Sequence, residues 1–161
     1  MSDQQKIRFL LNGEPKEFQA SANEKLLTVL RREGVKGPKH GCGEATCGAC
    51  TVLLDGQAVY ACILYAFQAA GREVTTIEAV GDFDRPHPFQ TALVEEGAVQ
   101  CGFCIPGMIL SAKALLDENP TPSDEDIKMH MDGNLCRCTG YEKIEAALHK
   151  VIARNAKGGA R

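Results

Sequence analysis

Apolar and polar positions alternate at the start of the chain. Ile7, Phe9 and Leu11 fall on one side, and the residues between them fall on the other. That period of two predicts a half-buried strand. Asn12-Gly13 follows, a dipeptide that supplies the positive φ angles of a tight hairpin, and a return strand is expected from about Glu14 to Ala20. The period then changes. Leu26, Leu27, Val29 and Leu30 share one helical face, Ser21 with Glu24 has the pattern of a capping box, and Gly34 is placed to end the helix. Residues 35–50 show little periodicity and read as a loop. A second hairpin is expected from Thr51–Leu54 through Asp55-Gly56 to Gln57–Tyr60. A short helix from about Cys62 to Ala70 and a last strand, suggested by Val74, Thr76-Ile77 and Val80, would complete this half.

Residues 81–88 carry two prolines and three charges and mark a linker. Beyond them only helical periodicity remains, with helices expected at about 88–96, 105–117, 123–132 and 140–155. A faint repeat runs through this half: helix, Gly97, Cys101-x-x-Cys104, helix, then helix, Gly133, Cys136-x-Cys138, helix. Two such units would pair about a pseudo-two-fold axis, with four cysteines at the loop ends of a four-helix bundle. The expected class is therefore α+β, with one domain over residues 1–81 and a second over 82–161. The tail Lys157-Gly158-Gly159 is expected to fray.

Composition narrows the function. Of 161 residues, 44% are apolar, enough for a buried core. A net charge of −3 without a basic stripe argues against nucleic acid or an anionic membrane as partner. No run approaches the ~18 apolar residues of a membrane span. Met1 to Lys6 lacks the basic start and apolar run of a signal peptide, so the expected location is the cytoplasm. Eight cysteines in short clusters, in a compartment that keeps thiols reduced, point to metal and away from disulfides.

Cys42, Cys47 and Cys50 form C-x4-C-x2-C, the spacing of plant-type 2Fe–2S ferredoxins, and Cys62 after the second hairpin supplies a fourth thiol. A diiron rhomb needs four thiolates, of which a glycine-rich loop can wrap the cluster and donate three. Gly41, Gly43 and Gly48 would let backbone N–H groups turn inward to an anionic cluster. Cys101, Cys104, Cys136 and Cys138 give a second set of four. By chemistry alone this set fits either a second diiron cluster or a redox-silent zinc site. His40, His87, His130 and His149 are scattered and read as surface or loop residues, and Met108, Met129 and Met131 as helix-face packing. No nucleophile or general base has a partner at usable spacing, so no catalytic residue is assigned.

Several strings occur together: Gly41-Cys42, Cys47-Gly48-Ala49-Cys50-Thr51-Val52, Gln100-Cys101-Gly102-Phe103-Cys104, Pro106-Gly107-Met108, and Gly133-Asn134-Leu135-Cys136-Arg137-Cys138-Thr139-Gly140-Tyr141. Over about residues 6–152 the chain resembles the small iron–sulfur subunit of the molybdenum hydroxylases, the xanthine oxidase family. That resemblance implies a plant-ferredoxin-like β-grasp domain followed by a pseudo-symmetric four-helix bundle, each holding one 2Fe–2S cluster. It implies Cys42, Cys47, Cys50 and Cys62 as ligands of the outer cluster, and Cys101, Cys104, Cys136 and Cys138 as ligands of the inner one. Gln100 and Cys138 match the positions that lie against the molybdopterin, expected in its cytosine dinucleotide form, of a large partner subunit. A glutamine amide, both donor and acceptor, suits a pterin edge. A medium FAD-binding subunit and a dimer of heterotrimers are also implied. The chain departs from many members at Ile105, where threonine is usual, and at Ala45-Thr46, where glycine-rich residues are usual. Ala45 would be uncomfortable at a positive φ. The expected function is a relay of single electrons; a freestanding ferredoxin-like carrier and a zinc-bound scaffold are the rival readings.

Overall fold

The opening alternation becomes strand β1 (Gln4–Leu11), hairpinned to β2 (Glu14–Ser21), in the computed structural model, which describes residues 4–158. Asn12 and Gly13 both take positive φ (55° and 81°), as a two-residue hairpin requires. Ile7 pairs with Phe18, and the rings of Phe9 and Phe18 stack 4.6 Å apart on the buried face. Helix α1 (Leu26–Arg32) lays Leu26, Leu27, Val29 and Leu30 on that face. It ends as expected at Gly34 (φ 91°), where Val35 N–H donates to the Leu30 carbonyl and Gly34 N–H to that of Arg31.

Three expectations need correction. The Glu24 carboxylate accepts from Ser21 N–H at 3.2 Å, but Ser21 stays in β2 and no side chain caps α1. Its first N–H groups instead reach across the fold, Leu26 to the Leu64 carbonyl and Leu27 to that of Ala61. Those carbonyls are thereby spent, so the helix expected over 62–70 shrinks to a 3₁₀ turn, Ala66–Ala69. The last strand, β5 (Glu73–Thr75), is also short. Thr76 leaves the sheet because the Asn12 side chain accepts its N–H at 2.8 Å, and Ile77–Ala79 forms another 3₁₀ turn.

Strands β3 (Thr51–Leu54) and β4 (Gln57–Tyr60) form the second hairpin, turning at Asp55 and Gly56. Strand β5 lies between β1 and β3, parallel to the first and antiparallel to the second, in a mixed sheet of order β2-β1-β5-β3-β4.

Four helices follow the 81–88 segment: α2 (Pro88–Glu95), α3 (Ile105–Glu118), α4 (Asp124–Met131) and α5 (Glu142–Gly158). Helix α5 starts two residues later than expected because Gly140 and Tyr141 are left-handed, at φ 66° and 69°. Phe89, Leu93, Met108, Leu110, Ile144 and Leu148 fill the helical core. Met108 and Met131 pack there as expected, whereas Met129 is 72% exposed. Sheet and helices together make an α+β fold.

Strand β3 is buried along its whole length. Val52 and Leu54 belong to the core under the sheet, and Leu53 belongs to the helical core. Among the described residues no helix is long and apolar enough to cross a membrane. Of the tail expected to fray, Lys157 and Gly158 instead close α5, while Gly159, like Met1–Asp3, lies outside the described residues.

Leu30 is fully buried. Leu30→Ala is expected to cost about 2–5 kcal/mol, read as a lower urea midpoint with an unchanged slope. A loss well under 1 kcal/mol would show that α1 is not anchored through this side chain.

Candidate metal centres

The loop over residues 35–50 is held at its base from two sides. The Arg31 guanidinium donates to the Lys36 and Pro38 carbonyls at 3.2 and 2.8 Å. The Glu78 carboxylate accepts from the N–H groups of Lys36 and Gly37 and from the Thr76 hydroxyl. Burial would raise the Glu78 pKa, but those donors outweigh it and hold the carboxyl below the usual range. Further along, N–H groups turn toward sulfur. Cys42 N–H donates to Cys47 Sγ at 3.4 Å, while Glu44 and Thr46 N–H donate to Cys42 Sγ at 3.5 and 3.4 Å. A Cβ on Gly41 would lie 2.7 Å from Cys47 Sγ, so only glycine fits there. Ala45 takes the positive φ (63°) that suits glycine better.

Cysteine thiols meet in twos. Cys42 N–H reaches Cys47 Sγ, and Cys62 lies close enough to Cys50 to bear on its ionisation. Cys104 contacts Cys136, and Cys101 Sγ lies 3.7 Å from Cys138 Sγ. Two thiolates on one tetrahedral ion with bonds of about 2.3 Å sit about 3.8 Å apart. Among the described residues no three His, Cys, Asp or Glu side chains converge on a single-ion position. Pairs suit a two-iron rhomb, with two thiolates at each iron, better than one zinc ion that takes all four. In this respect the donor set fits a 2Fe–2S group.

The thiols differ in readiness to ionise. The Thr46 hydroxyl, followed by the backbone N–H of Glu44, brings Cys42 down to about 6. Burial pushes Cys50 and Cys104 up to about 12. Burial works against Cys136 as well, but the Thr139 hydroxyl, which donates to its sulfur at 3.1 Å, and backbone N–H groups leave it lowered. The neighbouring Cys101 thiol raises Cys138.

In the second set Cys104 is the N-cap of α3, with Pro106 in the first turn. Cys136 N–H donates to the Tyr141 hydroxyl at 2.7 Å, and Tyr141 N–H to the Thr139 hydroxyl. Cys101, Cys138 and Gln100 are exposed, and so are Val99, Phe103 and Leu135 beside them in the chain. Cys50, Cys62 and Cys104 are buried.

The two loops touch. Leu135 N–H donates to the Cys47 carbonyl at 2.9 Å, and the Tyr60 hydroxyl donates to the Gly133 carbonyl at 3.2 Å. Burial, then the nearby cysteine thiols, raises the Tyr60 pKa. Sequence reasoning did not single out Tyr60 as a site residue; it sits in an ordinary strand pattern with nothing local to mark it. Of the histidines, His87 caps α2 by accepting Phe89 N–H, and His40 lies beside Gly43.

Two family models match. One, described as a 2Fe-2S iron-sulfur cluster binding domain, covers residues 9–74, and the other, a [2Fe-2S] binding domain, covers residues 76–149. The chain is 48% identical over 151 residues to the nicotinate dehydrogenase small FeS subunit of Eubacterium barkeri, spanning 93% of this chain and 96% of that one. It is 41% identical to the xanthine dehydrogenase iron-sulfur-binding subunit of Escherichia coli O157:H7, spanning 86% of this chain and 88% of that one. A chain in the crystal structure of quinoline 2-oxidoreductase from Pseudomonas putida 86 superposes with a TM-score of 0.90 at 37% identity, covering 99% of this chain and 100% of that one.

Two outcomes follow. In the iron-free chain at pH 7, iodoacetamide is expected to label Cys42 first and Cys50 and Cys104 last, since only the thiolate reacts. That preference should fade below about pH 6, where Cys42 protonates. Peptide mapping that finds the three labelled alike at pH 7 would contradict this ordering. Separately, Ala45→Gly should relieve the left-handed strain and stabilise the chain by up to about 1 kcal/mol, seen as a higher Tm.

Proposed function

This chain belongs to the iron–sulfur small subunits of the molybdenum hydroxylase family, and from that premise we propose how its residues carry electrons between a large molybdopterin-binding partner and an outer acceptor. The chain is an electron-transfer subunit with two 2Fe–2S binding domains. When bound, such clusters supply one-electron steps, so a two-electron oxidation of substrate by a partner leaves as two single transfers. In this reading Cys42, Cys47, Cys50 and Cys62 hold the outer cluster, and Cys101, Cys104, Cys136 and Cys138 hold the inner one. The first domain is a β-grasp over residues 1–81, and the second is a pseudo-symmetric four-helix bundle over 82–161. Two hydrophobic clusters, the helical one also taking in Leu53 and Val80, and the repeated helix–Gly–Cys pattern support that division.

One observation carries the proposal: the Cys47 carbonyl accepts the Leu135 N–H, one residue before Cys136. A residue of one thiol set is thus hydrogen-bonded to the immediate neighbour of the other, as a relay needs and two unrelated metal sites do not. The exposed end of the second set supports the direction of flow. Gln100, Cys101 and Cys138 lie open there, where the Gln100 amide and Cys138 would meet the pterin of the large subunit, read here as the cytosine dinucleotide form. Cys42 would face outward, toward FAD on a medium subunit, in a complex built as a dimer of heterotrimers. The residues of this chain bind the iron, aim N–H groups at sulfur and exclude water from Cys50, Cys62 and Cys104; none converts substrate.

Purified chain is expected to hold about four irons and four acid-labile sulfides, with two distinct S = 1/2 signals after dithionite reduction. Cys62→Ser and Cys138→Ser should each weaken a different signal. About two irons with zinc making up the difference, and a single signal, would make the second site structural and end the relay reading.

A further inference from the structure

A groove of about 530 Å³ lies on the helical half, between the 81–88 segment, α2 and the start of α3. Phe83 and Pro86 line it from the segment, Val94 from α2, and Ile105 and Ile109 from α3. Val99, just ahead of Gln100, lines it as well. Phe83 is fully exposed and Val94 is 74% exposed, so apolar surface stands open here in one continuous stretch. Patches of this kind mark contact sites more often than chance exposure does.

The polar residues of the groove are already engaged within the chain. The Asp82 carboxylate accepts from Asp84 and Arg85 N–H at 3.0 and 2.7 Å. Gln90 Oε1 accepts His87 N–H at 2.7 Å. Glu95 is paired with Lys150 at 2.9 Å and with Arg154 at 2.8 Å. A charged occupant would find no free counter-charge in these groups and would lose its water, so the groove selects apolar side chains.

Continuity says which partner brings them. Val99 precedes Gln100 and Cys101, and Ile105 follows Cys104, so the groove begins where the exposed end of the second thiol set stops. In the reading above, that end meets the large molybdopterin-binding subunit. Gln100, Cys101 and Cys138 alone are too small a footing, since a stable interface takes about 20–30 residues a side. A fused relative adds weight. The aldehyde oxidoreductase of Megalodesulfovibrio gigas is 43% identical over 152 residues, which make up 91% of this chain but 17% of that protein. There the matched unit shares one polypeptide with everything else. A subunit without that covalent joint is held by its surface alone.

We propose that this groove seats an apolar segment of the large molybdopterin-binding subunit, carrying the interface from Gln100 and Cys138 along α2 to Phe83. The inference rests on the large-partner reading above and deepens it. Val94 and Phe83 are the anchor contacts, and the cluster ligands take no part in the grip.

The test coexpresses the full chain with the molybdopterin-binding subunit and follows the assembled complex by gel filtration over a dilution series, which gives Kd. Val94→Glu places a charge in the groove. Met129→Glu places one at a side chain that is 72% exposed on α4, outside the groove. Both are expected to keep about four irons and both EPR signals. Kd should rise about tenfold or more in Val94→Glu and stay within about twofold of wild type in Met129→Glu. Wild-type affinity in Val94→Glu overturns the proposal, and so does equal weakening in both variants. If Val94→Glu loses iron, Phe83→Ser at the fully exposed position decides in its place, and wild-type affinity there overturns the proposal. A wild-type chain that is dimeric on its own, and that Val94→Glu makes monomeric, also overturns it, because the groove then seats a second copy. A wild-type chain that does not assemble with the large subunit fails the earlier reading itself, before any variant is compared.

Discussion

Sulfurs crowded together repel once ionised, and this chain brings its eight free cysteines close to one another, a constraint to which the rest of the architecture answers. Backbone N–H groups from Cys42, Glu44 and Thr46 turn onto sulfur and offset the charge. The Thr46 and Thr139 hydroxyls do the same at Cys42 and Cys136. At Cys50 and Cys104 burial outweighs the backbone donors and leaves the thiol protonated to about 12 in the absence of metal. A metal held by these thiols would have to displace those protons, so its uptake would release them and be favoured as pH rises.

Each half solves the problem with different means. The sheet half spends a sixteen-residue loop, gripped at its base by Arg31 and Glu78, to bring three cysteines around to Cys62. The helical half uses helix starts: Cys104 caps α3, and Cys136 and Cys138 lie in the turn before α5. Between them α3 packs on β3 and β4 through Leu53, and the closest approaches are made by glycines and by the backbone of Cys47 and Leu135.

Much of this was legible in the residues. Both hairpins, the face of α1, its Gly34 stop and the four later helices follow from local pattern and turn chemistry, and the comparisons show the family that the cysteine strings suggested. The failures share one cause. The absent cap of α1, the helix that shrank to a 3₁₀ turn and the strand that stopped at Thr75 all arise where backbone groups are claimed by residues far along the chain, Ala61, Leu64 and Asn12. Local propensity carries no record of such claims. Tyr60 was hidden for the same reason, since only packing of the two halves gives its hydroxyl a partner.

Strand β3, buried on both faces, has a consequence for modularity. The 81–88 segment joins the sheet half to the helical half, and the two family models meet just before it, one over residues 9–74 and the other over 76–149. But Leu53 and Val80 complete the helical core, so a chain severed at that segment would expose apolar surface on both pieces. Recombination can shuffle such halves between relatives only if the guest brings a side chain that fills the Leu53 socket. One strand serves two interiors, so neither half is a free-standing module.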